Sequence, residues 1–262
     1  MSLVFSSIVP HPPLIIPSIG KENLSRVKDT IEAYKKLEEN LYVANPDTII
    51  IISPHGLIQS DTFTMNLSPE FFINFEEFGD YSTKLKLKGD VGLAYQVKEK
   101  IEIETPFQAI SEVNLDYGCG VPLVMLTSHL KNIQIIPIYY SGLDYNAHYK
   151  FGKKFKSELL KSQKRIAVIA SGDLSHRVTK EAPAGYSPMG AKFDKKIISF
   201  LKNKKTNKIL DMKHDLIHEA GECGLKSIVM LLGILEGIDY TPNPLSYEAP
   251  FGVGYLTMNF EF

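Results

Sequence analysis

Residues 50–56, IIISPHG, constrain this chain more than any other stretch. An unbroken β-branched run that ends in Ser53, Pro54, His55 and Gly56 reads as a buried strand running into a tight turn. His55 then stands at the strand's C-terminal tip. The same grammar occurs twice more. LVFSSIVPHPP at 3–13 puts His11 just past a β-like run, and RIAVIASGDLSHR at 165–177 puts Asp173 and His176 just past another. Open α/β sheets bind ligands in the crevice outside the carboxyl ends of their strands. Three histidines delivered to such ends predict one shared site.

The stretches between these runs supply the rest of an α/β fold. Leu24, Val27, Ile31, Tyr34, Leu37 and Leu41 fall near helical spacing, which predicts an amphipathic surface helix over 21–43. Further strands are expected at 48–53, 61–67, 83–88 and 134–140, with a last one ending near Phe260. Helices are expected at 90–100, from Pro122 to about Leu130, and at 145–162, 191–203, 206–212 and 225–235. The aromatic stretch 70–82 reads as core or loop packing rather than a cofactor box. The long Pro/Gly loop to about Gly190 reads as a lid or binding loop. No repeat, low-complexity tract or linker interrupts the chain, so residues 1–262 are expected to form one domain with a central, mostly parallel or mixed sheet flanked by helices.

Composition enters by exclusion. With 29 basic and 30 acidic residues the formal net charge is −1, which gives nucleic acid no electrostatic footprint. No apolar run approaches the ~18 residues of a membrane span, and the N-terminus lacks the basic n-region of a signal peptide. Two cysteines, Cys119 and Cys223, lie far apart without a CxxC pair, which fits a reducing cytoplasm.

The missing thiolate pairs argue against a structural zinc site. Two histidines and one carboxylate with open positions suit non-haem Fe(II). His11 and His55 are the natural pair. Glu222, between Gly221 and Gly224 before an apolar helix, is the best carboxylate; its neighbour Cys223 competes. Each has a plainer reading. A strand-end histidine can be a hydrogen-bonded structural residue, Glu222 can serve a helix N-terminus, and Asp173 and Ser175 can cap a turn. His129, His148, His214 and His218 lie in helical or polar segments and read as surface or structural.

Six segments together resemble the B-type subunits of the class III extradiol ring-cleavage dioxygenases, in the branch that includes AmmeMemoRadiSam system protein B and Memo. They are IVPHPPLIIPSIG at 8–20, PDTIIIISPHG at 46–56, LDYGCGVPL at 115–123, IASGDLSHR at 169–177, AGECGLKSIVMLLG at 220–233 and SYEAPFGVGYL at 246–256. The resemblance implies a single α/β domain. It also implies a non-haem Fe(II) centre, with Zn(II) or another divalent metal as the alternative, on His11, His55 and Glu222, with Cys223 as rival ligand. His176 would be the acid/base, Asp173 would orient it, and Tyr117 would hydrogen-bond substrate or oxygen. A catechol-like aromatic and O2 are the implied partners, with homo-oligomerisation and a small partner subunit left open. One departure stands out: Tyr117 occupies the place of a histidine in the dioxygenases' DHG motif. With Cys223 it favours a second reading, a Memo-like metal- or peptide-binding protein without ring cleavage; a third, a metal-dependent hydrolase using a zinc-bound water, needs the same ligands.

Overall fold

The computed structural model describes residues 2–262. Its strands are β1 (Leu3–Val9), β2 (Thr48–Ser53), β3 (Phe63–Asn66), β4 (Glu70–Phe75), β5 (Asp80–Gly89), β6 (Phe107–Ile110), β7 (Gln134–Tyr139), β8 (Ile166–Ser171), β9 (Thr241–Glu248) and β10 (Tyr255–Glu261). The helices are α1 (Pro17–Gly20), α2 (Lys28–Ala44), α3 (Val91–Ile101), α4 (Tyr117–Leu126), α5 (Tyr145–Leu159), α6 (Pro188–Lys202), α7 (Thr206–Leu210), α8 (His214–Ala220) and α9 (Leu225–Ile234).

All ten strands join one mixed sheet, in the order β4-β5-β7-β2-β8-β1-β10-β9, with β3 and β6 paired beside β7. The centre, β7-β2-β8-β1, is parallel. β2 shows why its sequence is almost uniformly isoleucine. Ile50 and Ile52 point into one core and Ile49 and Ile51 into the other. A strand covered on both faces has no polar side to alternate with. Each such side chain contributes about 1.5–3 kcal/mol when fully buried. One face is covered by α3, α5, α6 and α9, through residues such as Leu93, Phe151, Phe193 and Ile228. The other is covered by α2 and α4, through Tyr34, Leu37, Leu41, Val121 and Leu123.

The parallel register aligns the carboxyl ends of the central strands: Val9 pairs with Ser171, and Ile52 with Ala170. His11, His55 and Asp173 each follow the last residue of their strand by two positions and so emerge at one edge of the sheet.

Several elements depart from expectation. The 21–43 helix is a 3-10 segment over 21–27 followed by α2, and Lys21, at φ +48°, ends α1 just before it. Residues 70–82 contribute β4 and the start of β5, although Phe71 and Phe75 do enter the core as expected. Helix α4 begins at Tyr117, not Pro122. Asp116 caps it by accepting from the Cys119 N–H (3.1 Å), which leaves Pro122 inside the helix. Strands β6 and β9 and helix α8 carry too little periodicity to stand out. Among the described residues no helix is long and apolar enough to cross a membrane.

Candidate metal centre

Five of the six predicted site residues meet at the carboxyl edge. His11 Nε2 and His55 Nε2 stand 2.9 Å apart with their rings edge to face. The Tyr117 hydroxyl lies 3.0 Å from His55 Nε2, its ring stacked on the imidazole. Cys223 Sγ lies 3.7 Å from His11 Nε2, and Asp173 Oδ2 lies 3.9 Å from it. Among the described residues two groups of three hold their ligand atoms within 4.8 Å of one another: His11, His55 and Cys223, and Asp173, His176 and Cys223.

Glu222 is not brought into either group. Its Oε2 accepts from the Leu225 N–H (2.5 Å) at the start of α9, the plainer of the two roles its sequence allowed. The reason is local. Gly221 takes φ +60°, and Gly224 packs so tightly on Gly172 that a Cβ on Gly172 would lie 2.2 Å from the Gly224 Cα. The chain therefore passes the end of β8 at backbone contact and turns the Cys223 thiol inward. In the geometry it is the sulfur of the rival donor, Cys223, that lies with the two histidine nitrogens.

The orientation of His11 can be traced through four residues. Pro122 has no N–H, so the carbonyl four residues earlier, Gly118, has no helical partner from it. The Ser171 hydroxyl donates to that carbonyl (2.5 Å). Its proton is thereby spent, and toward His11 Nδ1 (2.9 Å) it can only accept. Neutral His11 must then carry its proton on Nδ1, which leaves a lone pair on Nε2, aimed at His55. Tyr34 donates to the Pro10 carbonyl, and Asp173 Oδ1 accepts from the His11 N–H (2.9 Å), so the backbone on either side is pinned as well.

His176 is oriented by similar logic. Its Nδ1 meets the Gly221 carbonyl at 2.7 Å. A carbonyl only accepts, so Nδ1 carries a proton and Nε2 is the nitrogen left to exchange one. Residues Pro183 and Ala184 of the 178–187 loop border His176 and Gly221 around an open hollow of about 400 Å³. Phe78 sets its edge against the Tyr117 ring at 5.4 Å between centroids.

Burial sets the electrostatics. It pushes His11 down to about 3, helped by His176, and His55 down to about 4, helped by His11. Both are therefore neutral ligand-type imidazoles at pH 7. Burial also raises the Cys223 thiol well above its ordinary range, with Asp173 adding to it, and lifts Tyr117 to about 12. Asp173 is raised to about 6 by burial, opposed by His176, and Glu222 to about 7.

These residues fit a divalent cation. Two nitrogens bound at the roughly 2.0–2.1 Å of a metal–imidazole bond stand about 2.9 Å apart at the right angle of an octahedral site and about 3.3 Å apart at a tetrahedral angle. The two Nε2 atoms, a hydrogen-bonded pair 2.9 Å apart, are within a few tenths of an ångström of both. Ser171 supplies the outer partner that ligating histidines usually have. It was not singled out in the sequence, although a lone serine closing an otherwise apolar strand is the signal that could have found it.

Comparisons with known proteins agree with this architecture. The chain is 32% identical over 271 residues to Protein CA_C1420 of Clostridium acetobutylicum; the match takes in all of this chain but only 58% of that protein's length. It is 22% identical over 255 residues to 3,4-dihydroxyphenylacetate 2,3-dioxygenase of Escherichia coli, covering 89% of this chain and 90% of that one. In fold it is similar to the crystal structure of the uncharacterized protein JW3007 from Escherichia coli K12. The TM-score there is 0.70 at 16% identity, over 98% and 99% of the two chains. Residues 6–258 match the family described as "Catalytic LigB subunit of aromatic ring-opening dioxygenase", and the chain belongs to that LigB family.

Proposed function

We propose that this protein is a non-haem, Fe(II)-dependent ring-cleavage dioxygenase acting on a catechol-like aromatic with O2. The observation that carries the reading is the convergence of two neutral imidazole Nε2 atoms with a third, separately oriented imidazole at one open edge. His11 and His55 would hold the metal. Cys223 is favoured over Glu222 as third donor, because its sulfur lies with the two histidines while the carboxylate faces Leu225. Bound there, the metal would supply Lewis acidity toward a substrate hydroxyl and a reductant toward oxygen.

The chain's own groups account for the remaining steps. His176, protonated on Nδ1 by the Gly221 bond, would take a substrate proton at Nε2 and return it later. Asp173 would stabilise the imidazolium so formed. The Tyr117 hydroxyl, lifted to about 12 by burial, would donate a hydrogen bond but not act as a base near neutrality. Phe78, Pro183 and Ala184 would wall the substrate side. A small partner subunit closing the open edge, and a homo-oligomer, are compatible with a family described as a catalytic subunit.

Cys223 and Tyr117 support a second reading, a Memo-like metal-binding protein without ring cleavage, since thiolate donors suit Zn(II) and Cu(I) as well as iron. Metal analysis after anaerobic purification, followed by oxygen uptake with a panel of catechols, separates the two. Iron with catechol-dependent uptake supports the dioxygenase. Metal without uptake on any diphenol supports the second reading, or hydrolysis by a metal-bound water.

A further inference from the structure

The segment from Gly172 to Val178 presents both Asp173 and His176, and every one of its backbone N–H groups has a partner. Four go to main-chain carbonyls, and two to the Cys223 sulfur and the Ser175 hydroxyl. The remaining one, on Ser175, goes to a carboxylate from another part of the molecule: Asp194 Oδ1 on α6, at 2.9 Å. The second oxygen, Oδ2, accepts from the Tyr247 hydroxyl on β9 (2.7 Å).

Asp194 is fully buried, and neither partner carries a charge. An apolar side chain of similar size would sit there at less cost, because burial disfavours the carboxylate unless it is partnered. The surrounding backbone is shaped around it. A Cβ on Gly254 would lie 2.1 Å from Asp194 Oδ2, and Gly254 itself exchanges hydrogen bonds with Leu174 and Ser175 (both 2.8 Å). Asp194 does not reach the metal-centre residues. What it holds is the N–H of the residue before His176, whose own N–H and Nδ1 are held by the Ala220 and Gly221 carbonyls.

We propose that Asp194 and Tyr247 are positioning residues: they clamp the Ser175 peptide so that His176 keeps its Nδ1–H on Gly221 and its Nε2 toward the metal centre. The inference rests on reading His176 as the proton-handling group, but its test does not require ring cleavage.

The test is histidine-selective 15N NMR on the full chain, metal-free and zinc-loaded, with exposed His129 as internal reference. Wild type should give one His176 ring signature, protonated on Nδ1. Asp194→Ala should broaden or split it and admit the other tautomer, with His129 and the bound zinc unchanged. Asp194→Asn retains an acceptor for the Ser175 N–H and should restore the signature. Tyr247→Phe should shift it less, in the same direction, and serves if Asp194→Ala does not fold. On any catechol that wild type turns over, Asp194→Ala should lower kcat by up to roughly 100-fold with KM little changed. An unaltered His176 signature in Asp194→Ala or, failing that, in Tyr247→Phe would overturn the proposal, as would an Asp194→Asn protein as disturbed as the alanine variant. Absence of oxygen uptake in wild type would count against the dioxygenase reading alone and leave the NMR comparison standing.

Discussion

His11 and His148 are almost equally hidden, at 1% and 0% exposure, and burial lowers both, to about 3 and about 4. Only their wiring differs. His148 uses both ring nitrogens on its own neighbourhood: Nε2 accepts from the Ser141 N–H (3.2 Å), and Nδ1 meets the Asp144 carbonyl (2.6 Å). It ties the end of β7 to the start of α5 and has nothing left to offer. His11 gives one nitrogen to Ser171 and leaves the other facing His55 and Cys223. Neither burial nor a depressed basicity sets the candidate metal centre apart. A ring nitrogen left free to meet other donor atoms does.

Removing each histidine in turn should separate the two environments. His55→Ala and His11→Ala should weaken Fe(II) or Zn(II) binding by more than the roughly 100-fold typical of losing an outer partner, with the fold kept. His148→Ala should keep full metal stoichiometry and lose about 2–4 kcal/mol of stability, from two hydrogen bonds and a cavity. Metal titration and denaturant unfolding read the two effects separately, and equal metal loss in His148→Ala would erase the distinction.

Next in size is the third donor. Cys223→Ser should weaken metal binding strongly. Glu222→Gln should leave it within a few-fold and cost about 1 kcal/mol or less as a helix-start contact. The reverse pattern in metal titrations would restore the carboxylate set. Ser171→Ala should cost roughly 10–100-fold in metal affinity by freeing the His11 tautomer. Pro122→Ala should act the same way more weakly, because a restored N–H competes with Ser171 for the Gly118 carbonyl.

The smallest effect concerns pH in the metal-free protein. Unfolded histidines take up protons near 6.5, whereas folded His148 and His11 resist until about 4 and about 3. The unfolded state binds more protons across that window, so stability contributed by these groups is lost as pH falls from 6.5 toward 4. Asp173 and Glu222, raised to about 6 and about 7, work in the opposite sense and cost stability as pH rises through their own range. His148→Ala should therefore show a shallower fall in Tm between pH 6.5 and 4 than wild type. A slope identical to wild type would mean that His148 already accepts protons in the folded state.

The strands of the site were legible because β-branched runs stopped by Pro or Gly leave few alternatives, and their spacing put His11, His55 and Asp173 at strand ends. Which of Glu222 and Cys223 turns inward was not legible. That choice depends on the φ of Gly221 and on backbone contact between Gly224 and Gly172, which are far apart in the chain. Asp194 left a trace that was readable: it shares the buried stripe of α6 with Gly190, Phe193, Ile197 and Leu201, where a carboxylate needs dedicated partners. The edge strand β9 was missed because it contains two prolines and few alternating apolar residues.

If His11, His55 and Cys223 share one cation, X-ray absorption of the anaerobically reconstituted zinc or iron protein will see all three at once. The geometry predicts two imidazole nitrogens and one sulfur, the latter at about 2.3 Å for zinc, with the sulfur contribution absent in Cys223→Ser. A shell of light atoms alone, unchanged in His11→Ala and His55→Ala, would contradict it.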